Sequence, residues 1–208
     1  MMRLIDISHI LNEDTPIYPG DYKTSLQKYA TLEKDSYCSY LLSSCLHTGT
    51  HIDFPMHLTN DDRAAADFSL DNFAGKGVLL DARGENPICM KSYYKEMVPE
   101  GCIVLLYTGF DRYYNEKEYF THHPEVSNEL AEFLISRKIK MLGMDMPSPD
   151  YPPFTVHKAL LSNDIFILEN VTNLHELLDI KSFEVMAFPL KISAEASFVR
   201  AVCKHVVK

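Results

Sequence analysis

The segment from His47 to His57, H-T-G-T-H-I-D-F-P-M-H, places the tightest constraint on how this 208-residue chain can fold. It packs three imidazoles and one carboxylate around Gly49 and Pro55. A helix is disfavoured, because Gly49, Pro55 and the β-branched Thr48, Thr50 and Ile52 all weigh against one. An extended strand points alternate side chains to the same face. His47, His51, Asp53 and His57 are all odd-numbered, so the expected structure turns these four one way and Thr48, Thr50, Ile52, Phe54 and Met56 the other. The strand is expected to loosen into a loop at Gly49. Two histidines and an aspartate make an incomplete metal shell, since zinc usually takes three or four protein ligands. The fold must therefore bring further ligands from elsewhere. His57, beyond Pro55, has two roles open to it, another ligand or an acid/base beside the metal.

The most suggestive source of further ligands is P-F-T-V-H-K-A-L-L-S-N-D-I-F-I-L-E-N, Pro153 to Asn170. Glu169 closes the apolar run Ile165 to Leu168, where an unpaired carboxylate is costly to bury and a cation would remove that cost. The spacing of His157 and Glu169 alone does not separate ligands from a surface histidine and a strand-end carboxylate. Asp145 closes another apolar run, and either supports a ligand from behind or caps the turn M-P-S-P-D. Tyr18, held by prolines in T-P-I-Y-P-G-D, sits on a loop and either packs or meets a ligand. His9, His122, His123, His175 and His205 lack partners at ligand-like spacing and read as solvated or structural.

Strand-like segments outnumber helices around these residues. Arg3 to Ile10, Tyr37 to Leu46 (feeding the histidine segment), Val78 to Asp81, Ile103 to Tyr107, Met141 to Asp145, Ile165 to Leu168, Phe183 to Ile192 and Phe198 to Cys203 read as strands, with an edge or bulge at Pro189. Ser127 is expected to cap a helix ending near Lys138, with Leu130, Phe133 and Leu134 on one face. Thr155 to Leu161 reads as a short helix carrying His157, and Asn173 as the cap of another through Leu178. The pattern is one α/β or α+β domain over residues 1–208, without repeats or linkers.

Composition narrows the partners. A hydrophobic fraction of 46% with 24% charged residues suits a soluble globular protein, and a net charge of −9 argues against binding nucleic acid or anionic membrane. The opening residues lack the apolar core of a secretory signal, and no window approaches a membrane span. Five cysteines, odd in number and without C-x-x-C spacing, fit a reduced cytoplasmic setting. Histidine and carboxylate are left as the ligand candidates.

The segment H-T-G-T-H-I-D-F-P-M-H also resembles the H-x-G-T-H-x-D-x-P-x-H signature of the cyclase family of metal-dependent hydrolases, which includes aryl formamidases and isatin hydrolases. D-I-S-H-I-L, T-P-I-Y-P-G-D, T-G-F-D at Thr108 to Asp111, G-M-D-M-P-S at Gly143 to Ser148 and the His157–Glu169 pair follow the family's order, so the likeness runs from Asp6 to about Phe188. It implies a swivelling β/β/α fold and a homodimer or larger assembly. It implies a divalent metal, two Zn2+ per subunit with Mn2+ as another option. His47, His51 and Asp53 would then hold one ion, Asp53 and His157 the second, with Glu169 touching both. His57 would be the proton donor and acceptor, and Tyr18 a substrate contact where formamidases commonly present a tryptophan; this chain has no Trp. The implied reaction is hydrolysis of a small aryl formamide, foremost N-formyl-L-kynurenine to L-kynurenine and formate, by a metal-activated hydroxide. An isatin-like or lactone-opening reaction keeps the metal and changes the walls, to which Tyr18 and the segment Asp61 to Phe73 are expected to contribute. A non-catalytic metal- or small-molecule-binding protein is the reading from another class, and the presence of His57 argues against it.

Overall fold

The apolar runs read from the sequence become the centre of one large sheet. The computed structural model describes residues 1–206. In chain order its elements are β1 (Met2–Asp6), β2 (Ser25–Ala30), α1 (Leu32–Asp35), β3 (Ser39–Ser43), β4 (His51–Asp53), β5 (Ala74–Asp81), α2 (Tyr94–Met97), β6 (Ile103–Tyr107), α3 (Asn128–Ser136), β7 (Met141–Met144), α4 (Thr155–Leu161), β8 (Phe166–Glu169), β9 (Glu184–Met186), β10 (Ala196–Phe198) and β11 (Val202–Val206). Nine strands join in the order β1-β11-β9-β5-β6-β7-β8-β4-β10, while β2 and β3 form a separate hairpin. The central β5 to β8 are parallel, and the flanking pairs are antiparallel.

Both faces of the central strands are covered, which is why β6, β7 and the Phe166–Leu168 stretch of β8 are apolar throughout rather than alternating. Val104, Leu106, Leu142 and Met144 pack with Leu130 and Leu134 of α3 and with Val156 and Leu160 of α4. On the other face Ile103, Leu105, Met141 and Leu168 meet Phe54, Phe73, Phe166 and Val185. Gly143 leaves room for the Leu105 and Leu168 side chains of the two flanking strands, since a Cβ there would lie 2.5 Å from Leu105 Cδ2 and 3.3 Å from Leu168 Cδ2. Gly143→Ala is therefore expected to destabilise the protein by about 1–3 kcal/mol through overpacking. A denaturation midpoint equal to wild type would contradict this.

Several elements match the sequence reading closely. β6 and α4 form as expected, and Ser127 caps α3 by accepting a hydrogen bond from the Leu130 amide. Others are shorter. The first strand ends at Asp6 rather than Ile10, because Asp6 Oδ1 accepts from the Ser8 amide and bends the chain. Tyr37 to Leu46 yields only β3, which pairs with β2 instead of running into the histidine segment. Asn173 does not cap through its side chain; it adopts φ 58° and donates from Nδ2 to the Asp6 carbonyl, ahead of a 3-10 turn at Leu174–Leu177. Phe183 to Ile192 contributes only β9, and Pro189, lacking an N–H, makes an isolated bridge with Val199.

Candidate metal centre

The histidine segment converges by a different route from simple alternation. Only His51–Asp53 is strand, with β4 lying between β8 and β10. His47 lies in the preceding turn, and His57 ends a 3-10 turn over Pro55–His57. Gly49 makes the first change of direction, with φ +67° in the left-handed region that favours glycine. Its carbonyl accepts a hydrogen bond from His51 Nδ1 at 2.8 Å. His51 Nε2 therefore faces inward, 3.2 Å from Asp53 Oδ1 and 3.5 Å from Glu169 Oε2. The β4–β8 register sets His51 directly opposite Glu169.

His157 and Glu169 arrive from distant parts of the chain, as expected. His157, in the first turn of α4, places Nε2 3.2 Å from Asp53 Oδ2 and 3.5 Å from Glu169 Oε1. His47 Nδ1 stands 2.9 Å from Asp53 Oδ1 and 3.3 Å from His51 Nε2. Asp53 thus turns one oxygen toward His47 and His51 and the other toward His157, while Glu169 turns one toward His51 and the other toward His157. The His57 ring lies 4.1 Å from the His47 ring and 6.0 Å from that of His157, centroid to centroid. Ligand atoms of His47, Asp53 and His57 lie within 4.8 Å of one another, as do those of His51, Asp53 and Glu169.

This donor set fits divalent cations. His51, Asp53, His157 and Glu169 are buried, and Asp53 Oδ1, Glu169 Oε1 and His47 Nε2 have no hydrogen-bond partner. Orphaned carboxylate oxygens in a buried site carry a desolvation cost of several kcal/mol unless a cation meets them. Imidazole and carboxylate together suit zinc or manganese.

The protonation pattern follows the same geometry. Burial opposes the charged form of His47, but Asp53, Glu169 and Glu195 outweigh it and raise the pKa to about 9. For His157 burial is likewise overcome, by hydrogen bonds to Asp150 and Asp53, and the value rises to about 10. Burial pushes His57 down to about 4. Burial also acts against the Asp53 carboxylate, but His47 and His51 hold it well below the usual range. Burial and the Asp53 charge drive Glu169 well above its usual range.

In metal-free protein, the stabilisation from His47 and His157 is complete below the unfolded histidine value of 6.5. It is lost as pH rises through about 9 and about 10. The melting temperature of chelator-treated protein is expected to fall across that window by more than that of metal-loaded protein. Parallel pH profiles for the two would contradict this.

A cavity of about 230 Å³ opens over the cluster, walled by Tyr18, Phe120, His123, Tyr151 and Phe154. Tyr18 meets Phe120 edge-on at 5.8 Å, and His123 stacks on Tyr151 at 4.1 Å. Tyr18 thus lines the cavity and packs on Phe120, and of its companions Tyr151 and Phe154 flank prolines as Tyr18 does, which is the one sequence signal they offered. The segment Asp61 to Phe73 does not line this cavity among the described residues. Its Phe68 and Phe73 pack against Phe54 and Phe166 instead.

Two further carboxylates are placed by the structure. Asp145 neither caps M-P-S-P-D nor touches a candidate ligand. Its Oδ1 accepts from the Thr108 amide and hydroxyl and its Oδ2 from the Gly109 amide, fastening the T-G-F-D loop, and burial raises its pKa to about 6. Asp150, missed in the sequence, lies beneath His157, with Oδ1 3.3 Å from Nδ1.

Comparison with known proteins agrees with this geometry. Residues 5–151 match the profile of the family described as "Putative cyclase". A kynurenine formamidase of Bacillus anthracis is 32% identical over 207 residues, covering 97% of each chain. The fold superimposes on isatin hydrolase A from Ralstonia solanacearum with a TM-score of 0.86 at 19% identity, covering 99% of this chain and 92% of the other. A potential metal-dependent hydrolase with cyclase activity superimposes at 0.79 with 22% identity over the full length of both chains.

Proposed function

The chain belongs to the cyclase family, and from that premise we propose that it is a metal-dependent amidohydrolase of small aryl formamides, foremost N-formyl-L-kynurenine, releasing L-kynurenine and formate. The convergence of His47, His51, Asp53, His157 and Glu169, with orphaned carboxylate oxygens beneath an aromatic-walled cavity, carries this reading. His47, His51 and Asp53 would hold one ion, Asp53 and His157 a second, and Glu169 would serve both. Two Zn2+ suit these donors, and Mn2+ is accommodated by the same set. Bound there, divalent cations supply Lewis acidity and bring the pKa of water toward about 7.

The chain's own residues do the rest. Asp53 and Glu169 would offset part of the charge of such ions while keeping the buried imidazoles facing them. His57 takes the proton released as water attacks the formyl carbon and delivers it to the nitrogen of the breaking C–N bond. Tyr18, with Phe120 and Tyr151, packs against the aryl group and keeps water from the leaving side. The whole of residues 1–208 forms one catalytic domain on this reading.

A cytoplasmic setting and a homodimer are part of the same proposal. All five cysteines are free, which supports action in the reducing cytoplasm. No helix among the described residues is long and apolar enough to cross a membrane. Tyr29, Tyr40 and Leu41 are exposed on the β2–β3 hairpin and support self-association as a homodimer.

The test is turnover of N-formyl-L-kynurenine and isatin by purified, metal-loaded protein. A higher kcat/KM for the formamide is expected. Preference for isatin would make the chain a ring-opening hydrolase, and inertness toward both, with metal bound, would make it a binding protein.

A further inference from the structure

We propose that Asp150 is a positioning residue that fixes the tautomer and direction of His157, so that the Nε2 lone pair points at the candidate cation site. The inference rests on the metal-centre reading above. Two groups face His157 Nδ1, Asp150 Oδ1 at 3.3 Å and Ser148 Oγ at 3.3 Å. The Ser148 hydroxyl donates its one proton to the Asp150 carbonyl at 2.7 Å. It therefore offers Nδ1 only lone pairs, as the carboxylate does. In a neutral imidazole Nδ1 must then carry the hydrogen, which leaves Nε2 free to ligate toward Asp53 Oδ2 and Glu169 Oε1.

Asp150 is itself held in place. Its Oδ2 accepts from the Val156 amide at 2.7 Å, which ties the carboxylate to the first turn of the helix carrying His157. Phe154, at the start of that helix, makes no side-chain cap, so Asp150 supplies the acceptor instead. Asp150 is 4% exposed. His51 obeys the same logic through the Gly49 carbonyl, a backbone group that substitution leaves in place. At His157 the acceptor is a side chain, so the idea is open to mutation.

Asp150→Asn keeps the shape and an oxygen for the Val156 amide, but turns an NH2 group toward His157 Nδ1. Nδ1 must then accept, the hydrogen moves to Nε2, and that nitrogen loses its ligating lone pair. Affinity for one zinc is expected to fall by about 10–100-fold, and at limiting zinc the content falls from about two ions per chain toward about one. Ser148→Ala, which leaves the carboxylate in place, is expected to hold wild-type content. Metal content is measured by elemental analysis, with the helix checked through exchange protection of the Val156 amide.

A second readout uses wild-type protein and needs no variant to fold. In the zinc-loaded protein, 15N NMR should show His157 Nδ1 protonated and Nε2 bound to metal. The opposite assignment, or equal zinc affinity in Asp150→Asn, overturns the role of Asp150 alone. Wild-type protein that takes up no zinc overturns the metal-centre reading and this inference with it.

Discussion

His57→Ala is expected to lower kcat for an aryl formamide by about 10²–10⁴-fold while leaving the metal content at its wild-type value, the range set by losing one positioned acid/base group. The expectation rests on where His57 sits. It ends the 3-10 turn after Pro55, beside the His47 ring at 4.1 Å, and outside the paired contacts that link His51, Asp53, His157 and Glu169. The rival role is ligation, since a nitrogen of His57 lies within 4.8 Å of ligand atoms of His47 and Asp53. Elemental analysis separates the two. Retained metal with lost turnover identifies the proton carrier, whereas metal and turnover lost together identify a ligand.

Asp53→Asn is expected to have a larger effect, removing both ions and lowering turnover by more than about 10³-fold, because Lewis acidity is worth several kcal/mol at the transition state. Asp53 is the residue shared by both ligand groupings, with Oδ1 facing His47 and His51 and Oδ2 facing His157. The same carboxylate lifts both His47 and His157. Its neutralisation should therefore also flatten the fall in melting temperature of metal-free protein between pH 6.5 and about 10. An Asp53→Asn protein that keeps two ions and its wild-type turnover would remove Asp53 from the centre.

The sequence was most legible where local physics and tertiary role agree. The β6 run and the α4 span carrying His157 form to the residue, since a doubly covered strand must be apolar throughout and proline precedes the helix. His47, His51, Asp53 and His57 do converge, but strand alternation accounts for only part of it. Alternation operates only from His51 to Asp53, while the Gly49 turn and the Pro55 turn carry His47 and His57 back toward them. β3 falls inside the strand expected from Tyr37 to Leu46, but its partner β2 was not read, because S-L-Q-K-Y-A shows no regular apolar alternation. Asp145 binds Thr108, 37 positions away, through a loop contact that no periodicity announces. Phe120 and Asp150 were missed, and His123, read as solvated or structural, proves to be buried against Tyr151 in the cavity wall, for the same reason: loops carry that wall, and their side-chain directions are set by tertiary contacts.

Formate release from N-formyl-L-kynurenine, measured as divalent cation is returned to chelator-stripped protein, tests the metal centre most directly. Turnover should be absent at the start and climb with bound cation per chain. Full turnover in protein shown to hold no cation would contradict the account, as would a fully loaded centre that leaves the formamide intact.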